Sequence, residues 1–277
     1  MTALSTPITR IAPERLRSAW RVFWYGGRMS YGMLFNWARP SIYIPTLIGG
    51  PTFQLLFFAA LGSYATNRSP AYFAIGNAVQ VSAIAGVFGM TMAIANERWF
   101  GTLPAILATP ANRVALFAGR FMPFVLNGLL VSLYAFALGF VFLGVRLAPG
   151  SLAVVGLALL VTVFACTAIG ALQGAISLRL RDGLFGANLV TMSILLFCGV
   201  NIPMNELPGW MQVVGNLLPF THGLEAVRQA ADGAGLGQVG GLIATEALIG
   251  IAYAVAAFAL FVYLERSARA NATLDVR

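Results

Sequence analysis

Residues 151–178 read SLAVVGLALLVTVFACTAIGALQGAISL, without one Asp, Glu, Lys, Arg or His. A helix of about 20 apolar residues crosses the roughly 30 Å hydrocarbon core of a bilayer, and this run exceeds that length. It reads as a membrane span. Outward from it lie further apolar runs at 41–62, 71–95, 121–145, 184–203 and 242–264. The run at 41–62 is interrupted by Pro45, Gly49, Gly50 and Pro51, which predicts a kinked or composite helix. Such breaks are tolerated in membranes where neighbours or waters satisfy the freed carbonyls. The expected fold class is an all-α integral membrane protein with six transmembrane helices.

Composition agrees. Of 277 residues, 59% are hydrophobic and 9% charged, against about 25% charged in soluble domains. That excludes an ordinary soluble protein, and the hydrophobicity excludes intrinsic disorder. Cys166 and Cys198 lie in apolar runs and read as small buried side chains rather than a disulfide framework. Residues 1–40 carry six Arg and no clean apolar core with a cleavage site, so no cleaved signal peptide is expected.

The basic residues map the topology. All 17 are Arg. With the N-terminus inside, the inner segments hold Arg10, Arg15, Arg17, Arg21, Arg28, Arg39, Arg98, Arg113, Arg120, Arg179, Arg181, Arg266, Arg269 and Arg277. The outer segments hold Arg68, Arg146 and Arg228. The positive-inside bias then puts both termini in the cytoplasm of an inner (plasma) membrane protein, which requires an even number of spans. The absence of Lys has a chemical consequence. A P-loop needs a Lys to reach nucleotide phosphates, so no conventional ATP site fits this chain.

Residues 13–30 predict an amphipathic helix. Leu16, Trp20, Phe23 and Trp24 share one face, and Arg17, Arg21 and Arg28 another. Trp opposite Arg suits a helix lying in the headgroup plane; the plainer alternative is a solubilising tail. The expected division is a 1–40 cytoplasmic tail with this interfacial helix, a 41–264 transmembrane domain and a 265–277 cytoplasmic tail.

Two connections are longer than turns. The cytoplasmic one, 96–120, passes through Glu97, Arg98, Trp99 and Phe100 to Gly101-Thr102, then a short apolar helix ended by Thr109-Pro110. Thr102 can cap that helix, and Pro104 suits its first turn. Leu103, Ile106 and Leu107 form a small apolar face, suited equally to docking a partner and to lying on the membrane. The external one, 204–241, places Trp210, Val213, Val214 and Leu217 at helical spacing. That apolar stripe predicts short re-entrant helices on the outer leaflet, buried against other spans. A second helix follows, with Thr221 as a candidate cap and His222, Glu225 and Arg228 on one polar stripe.

The pattern Glu97-Arg98-x-x-Gly101-Thr102-Leu103, followed by Leu107-Ala108-Thr109-Pro110, resembles the cytoplasmic loop of ABC-2 type transporter permeases. Pro203-x-x-x-Leu207-Pro208-x-Trp210 resembles that family's external segment. So do Leu218-Pro219-Phe220-Thr221 and Glu225-Ala226-x-Arg228. The resemblance covers nearly the whole chain and departs at Pro104, where the family more often has an acidic residue. It implies that Glu97, Arg98, Gly101, Thr102, Leu103, Ile106 and Leu107 belong to a coupling helix region seated on a separate ABC ATPase subunit. ATP and Mg²⁺ then sit on that partner, and this chain holds no cofactor. It also implies external helices that shape the exit path. Six helices with few polar residues leave little room for an aqueous path within one copy, which points to a second permease copy or a related permease as partner.

Other constellations are weaker. Gly235-x-Gly237-x-x-Gly240 spells a dinucleotide fingerprint but lacks a preceding strand. Gly170-x-x-x-Gly174 predicts close helix packing, internal rather than between subunits. Glu225 and Arg228 pair most simply with each other at i, i+3. Glu246, near the outer end of the last span, is a functional candidate because ionisable groups in spans are costly; reaching the interface is the plain alternative. With Trp210, His222, Glu225 and Arg228 it completes the candidate external gate or substrate path.

The function expected is an ATPase-driven exporter of a hydrophobic or amphipathic molecule, drug-like or lipid. Export of a lipid-linked glycan or polysaccharide is the alternative within the same mechanism. An ion-coupled secondary transporter needs mid-membrane acids and favours repeated halves, neither of which is evident. A membrane enzyme needs clustered His, Asp, Glu or Cys, against one His and nine scattered acids.

Overall fold

The computed structural model describes residues 20–30, 40–66, 68–99, 101, 112–148, 150–180 and 182–270. Among them there are helices and no strand. A helical segment over 20–30 precedes α1 (Pro40–Ala65), α2 (Pro70–Trp99), α3 (Arg113–Phe142), α4 (Leu152–Leu180) and α5 (Gly183–Phe197). A single 3-10 turn, Met204–Glu206, leads to α6 (Gly209–Leu217), α7 (Thr221–Ala231) and α8 (Leu236–Ala270).

Among the described residues, four helical stretches are long and apolar enough to cross a membrane: Pro70–Asn96, Arg113–Phe142, Leu152–Arg179 and Leu236–Leu264. Every one of the six predicted runs is helical over most of its length. The differences lie at their ends. The run at 121–145 begins earlier, at Arg113, because Asn112 accepts from Val114 N at 3.0 Å and Ala115 N at 3.2 Å and so caps the helix. Asp182 likewise caps α5 through Phe185 N at 2.9 Å. The run at 184–203 is helical only to Phe197, since Gly199 turns the chain at φ +75. Fifteen residues of helix reach about 22 Å, short of a full hydrocarbon core. α1 stays helical with Pro45 and Pro51 inside it, and α8 starts at Leu236, ahead of the predicted 242.

The bundle is built around α2 and α4. α2 packs on α1, α3, α4 and α5, while α4 packs on α2, α3, α5, α7 and α8. The two central helices approach closely through small residues. A Cβ on Gly170 would meet Val87 Cα and O at 2.8 Å, and one on Gly174 would meet Ile94 Cβ at 2.9 Å. Thr91 donates to Gly170 O at 2.9 Å across the same contact. The Gly170-x-x-x-Gly174 face is thus an internal α2–α4 seam, as expected, and Gln173 beside it lies over Gly186 of α5. Val79, Val87, Val163, Cys166 and Leu224 fill the adjoining core.

The 20–30 segment crosses α3 where both chains carry glycine. A Cβ on Gly27 would meet Gly119 O at 2.9 Å, and Gly119 lies directly under Phe23 O. Trp20 and Trp24 are exposed, and Trp20 stacks on Phe23 at 5.5 Å. Residues 13–19 of that predicted helix lie outside the described residues. Phe121 and Phe124 are core, whereas Phe53 and Phe57 face outward.

Candidate functional site

The best-defined polar geometry surrounds α7. This short helix buries Gly223, Leu224, Ala226, Val227, Ala230 and Ala231 against α4 and α8. Gly223 has no side chain, so the first turn of α7 sits directly on Thr162 of α4. Helix starts leave backbone N–H groups without intrahelical partners. The sequence nominated Thr221 as their cap. The structure corrects this: Thr221 Oγ1 instead donates to Gly215 O at 2.6 Å, and no local side chain caps α7. The cap comes from another helix. Glu246 of α8 is fully buried, and its Oε2 accepts from Gly223 N at 3.0 Å. Its Oε1 has no partner among the described residues. Glu246 therefore turns into the bundle rather than reaching the interface, placing a carboxyl at the positive end of a helix dipole. Cys166 on α4 donates to Pro219 O at 3.1 Å and fixes the corner before α7.

The other end of α7 is held by Arg228. Its Nη1 donates to Gly199 O at 2.9 Å and its Nη2 to Val200 O at 2.8 Å. The guanidinium lies 3.9 Å from the centre of the Tyr72 ring, within cation–π range. Gly76 makes room for this. A Cβ there would meet Val200 O at 2.5 Å and Arg228 Nη2 at 2.7 Å. The expected Glu225–Arg228 pairing is not what forms. Glu225 is exposed and accepts from Gln229 Nε2 at 2.9 Å, while Arg228 turns inward to carbonyls left free beyond the end of α5. Burial pulls the Arg228 guanidinium below its ordinary value, with Tyr72 and Glu225 opposing. Next to it, Arg68 Nη2 pairs with Glu206 Oε1 at 2.6 Å, tying the α1–α2 turn to the 3-10 turn.

The remaining candidates are placed as follows. His222 is half-buried in the first turn of α7. Trp210 is exposed on α6 and meets Phe197 edge-on at 5.9 Å. The stripe of Trp210, Val213, Val214 and Leu217 was expected against other spans. It is instead exposed: only the edge of Trp210 reaches Phe197, and α6 rests on the end of α5 through Gly215 under Phe197 O. Glu97 and Arg98 occupy the last turn of α2, with side chains outside the described residues. Gly101 is described and has φ +66, a turn suited to glycine. Thr102, Leu103, Ile106 and Leu107 lie outside the described residues.

One polar group was missed by the sequence reading. Gln54 of α1 donates to Asn77 Oδ1 at 3.2 Å and to Gln80 Oε1 at 2.8 Å. Asn77 donates to Phe73 O and to Asn201 Oδ1, both at 2.9 Å. Asn77 and Gln80 are buried. The only signal for it was two amides at i, i+3 in an apolar span. Asn201, next to the carbonyls that Arg228 holds, joins this amide cluster to α7.

Comparisons with known proteins agree with this architecture. The family model for the ABC-2 type transporter matches residues 29–231. The chain is 25% identical over 210 residues to the "Probable doxorubicin resistance ABC transporter permease protein DrrC" of Mycobacterium tuberculosis (strain CDC 1551 / Oshkosh). That alignment covers 73% of this chain and 74% of the relative. The same protein of strain ATCC 25618 / H37Rv matches to the same extent. The matched region takes in α1 to α7, including Arg228 but not Glu246. The chain is a multi-pass membrane protein and belongs to the ABC-2 type transporter family.

Proposed function

We propose that this chain is the permease subunit of an exporter that moves a drug-like amphipathic molecule outward, driven by ATP hydrolysis on a separate ATPase. The observation that carries the reading is the family match over 29–231, joined to a relative named for doxorubicin resistance. The chain's own chemistry supports the division of labour, because a sequence without Lys has no P-loop. Both termini cytoplasmic, and hence an even number of spans, follow from the Arg distribution. α1 and α5 then complete the four long spans.

In this reading Glu97, Arg98 and the 101–107 segment seat on the ATPase, which holds ATP and Mg²⁺. Closure of two ATPases moves the coupling segments of two permease copies, or of this chain and a related one, and shifts access between the two sides. α6 and α7 form the external gate. Glu246 and Arg228 hold α7 to α8, α2 and the end of α5, so the gate moves with the spans rather than as a free loop. The exposed apolar stripe of α6 lies in the outer leaflet or on the second permease.

The test is association. Tagged full-length chain, extracted in mild detergent from its own cells, carries an ABC ATPase through purification in stoichiometric amount. A chain that purifies alone, under conditions that keep a known ABC exporter intact, contradicts the reading.

A further inference from the structure

We propose that the amide cluster of Gln54, Asn77, Gln80 and Asn201 is a hydrogen-bonding subsite for hydroxyl or carbonyl groups of an amphipathic molecule crossing the membrane. This rests on the export reading above and names the chemistry that the path recognises. Gln80 lies ten residues into α2, about 15 Å from the start of the helix, near the middle of a hydrocarbon core of about 30 Å. Polar side chains at that depth are costly unless partnered. Here they come from three separate elements. α1 and α5 each pack on α2, and the cluster gathers Gln54 from α1, Asn77 and Gln80 from α2, and Asn201 from the chain just past α5.

The bonding capacity is divided unevenly. Gln54 Nε2 commits both hydrogens, to Asn77 and Gln80, and Asn77 Nδ2 commits both, to Phe73 and Asn201. Gln54 Oε1 and Gln80 Nε2, one acceptor and one donor of the same cluster, take no part in the four hydrogen bonds that hold it together. Gln54 and Asn201 are half-buried, while Asn77 and Gln80 are enclosed, so the cluster opens on the α1 side and beside the chain past α5. Its sequence neighbours are apolar: Leu55 and Ala78 beside it lie in the core, and Phe57 and Leu61 further along α1 are exposed, so a few convergent polar groups stand in an apolar setting. The cluster contains no ionisable group, so it recognises uncharged donors and acceptors. Asn201 also puts the subsite one residue from Val200, whose carbonyl Arg228 holds, so occupancy is felt at the external helix.

The test uses two fluorescent probes of matched shape, 1-pyrenemethanol and 1-methylpyrene. Binding to the full chain in lipid nanodiscs is read by tryptophan-to-pyrene energy transfer, with empty nanodiscs as background. The wild type prefers the hydroxylated probe by about tenfold, the worth of one well-made hydrogen bond. Gln80→Leu abolishes that preference and leaves 1-methylpyrene binding unchanged, which also shows that the variant is folded. Should Gln80→Leu fail to insert, Gln54→Leu on the open side is read with the same probes and carries the same expectation. No preference in the wild type, no binding of either probe, or a preference that survives the substitution overturns the proposal. The assay needs neither ATP nor a partner, so its failure leaves the export reading to be decided by co-purification.

Discussion

Glu246 and Gly223 are joined by a 3.0 Å hydrogen bond in which a carboxyl from α8 accepts the amide at the start of α7. The bond does two jobs that the local sequence of α7 leaves undone. It supplies the missing cap, and it anchors a short helix, with little length of its own to sustain it, to a long membrane span. Replacing Glu246 with Ala strips the Gly223 amide of its acceptor inside the bundle. The expected loss is about 1–3 kcal/mol. Glu246→Gln keeps an oxygen acceptor and loses no more than about 1 kcal/mol. Thermal unfolding of the two variants in the same detergent checks the order. Equal loss from both would mean that the charge, not the acceptor, matters.

Arg228 makes a two-pronged contact that Lys cannot copy. The guanidinium reaches Gly199 O and Val200 O together while its centre sits 3.9 Å from the centre of the Tyr72 ring, a geometry that suits a planar fork. Arg228→Lys is expected to lose most of what Arg228→Ala loses. Tyr72→Phe keeps the ring face and stays near wild type, whereas Tyr72→Leu costs about 0.5–2 kcal/mol. Melting temperatures of the four variants give the comparison.

The α2–α4 seam predicts a contrast between two glycines on one helix. Gly170→Ala forces a methyl group against Val87 backbone atoms at 2.8 Å, whereas Gly156 has nothing within 4 Å of its Cβ position. Gly170→Ala is expected to destabilise by about 1–3 kcal/mol, and Gly156→Ala to be neutral or slightly stabilising. Unfolding in detergent separates them, and equal effects would mean that the seam is looser than its geometry.

Much of the bundle was legible because bilayers impose long apolar runs, and the Gly170/Gly174 seam because small residues at that spacing serve one purpose. The clamp on α7 was not legible. Glu246 lies 23 positions from its partner amide, in another helix, and periodicity is blind to that distance. For Arg228, the i, i+3 rule pointed to Glu225. It failed because the turn at Gly199, with φ +75, frees two carbonyls that attract a buried guanidinium more than a solvated carboxylate does. The end of α5 was missed for a related reason. Apolar residues continue past Phe197, so a hydropathy reading passes over a backbone turn. Gln54, Asn77, Gln80 and Asn201 went unread because they lie in three separate runs, only Asn77 and Gln80 sharing one, and only folding brings them together.

If the 101–107 segment docks on an ATPase, its apolar face carries coupling. Replacing Leu103, Ile106 and Leu107 together with Ser is expected to leave insertion and the amount in the membrane unchanged. ATP-driven transport falls by at least about tenfold. Immunoblots of the membrane fraction and vesicle transport rates are the two measurements, and unchanged transport would remove the docking role.

The central claim is that an ATPase on another subunit powers transport through this chain. Proteoliposomes containing the chain with its co-purified ATPase test it directly, with an amphipathic fluorescent substrate and controlled ATP and ion gradients. The account predicts transport that requires hydrolysable ATP and continues after ionophores collapse every gradient. Transport that persists without ATP and stops when an ion gradient is collapsed would contradict it.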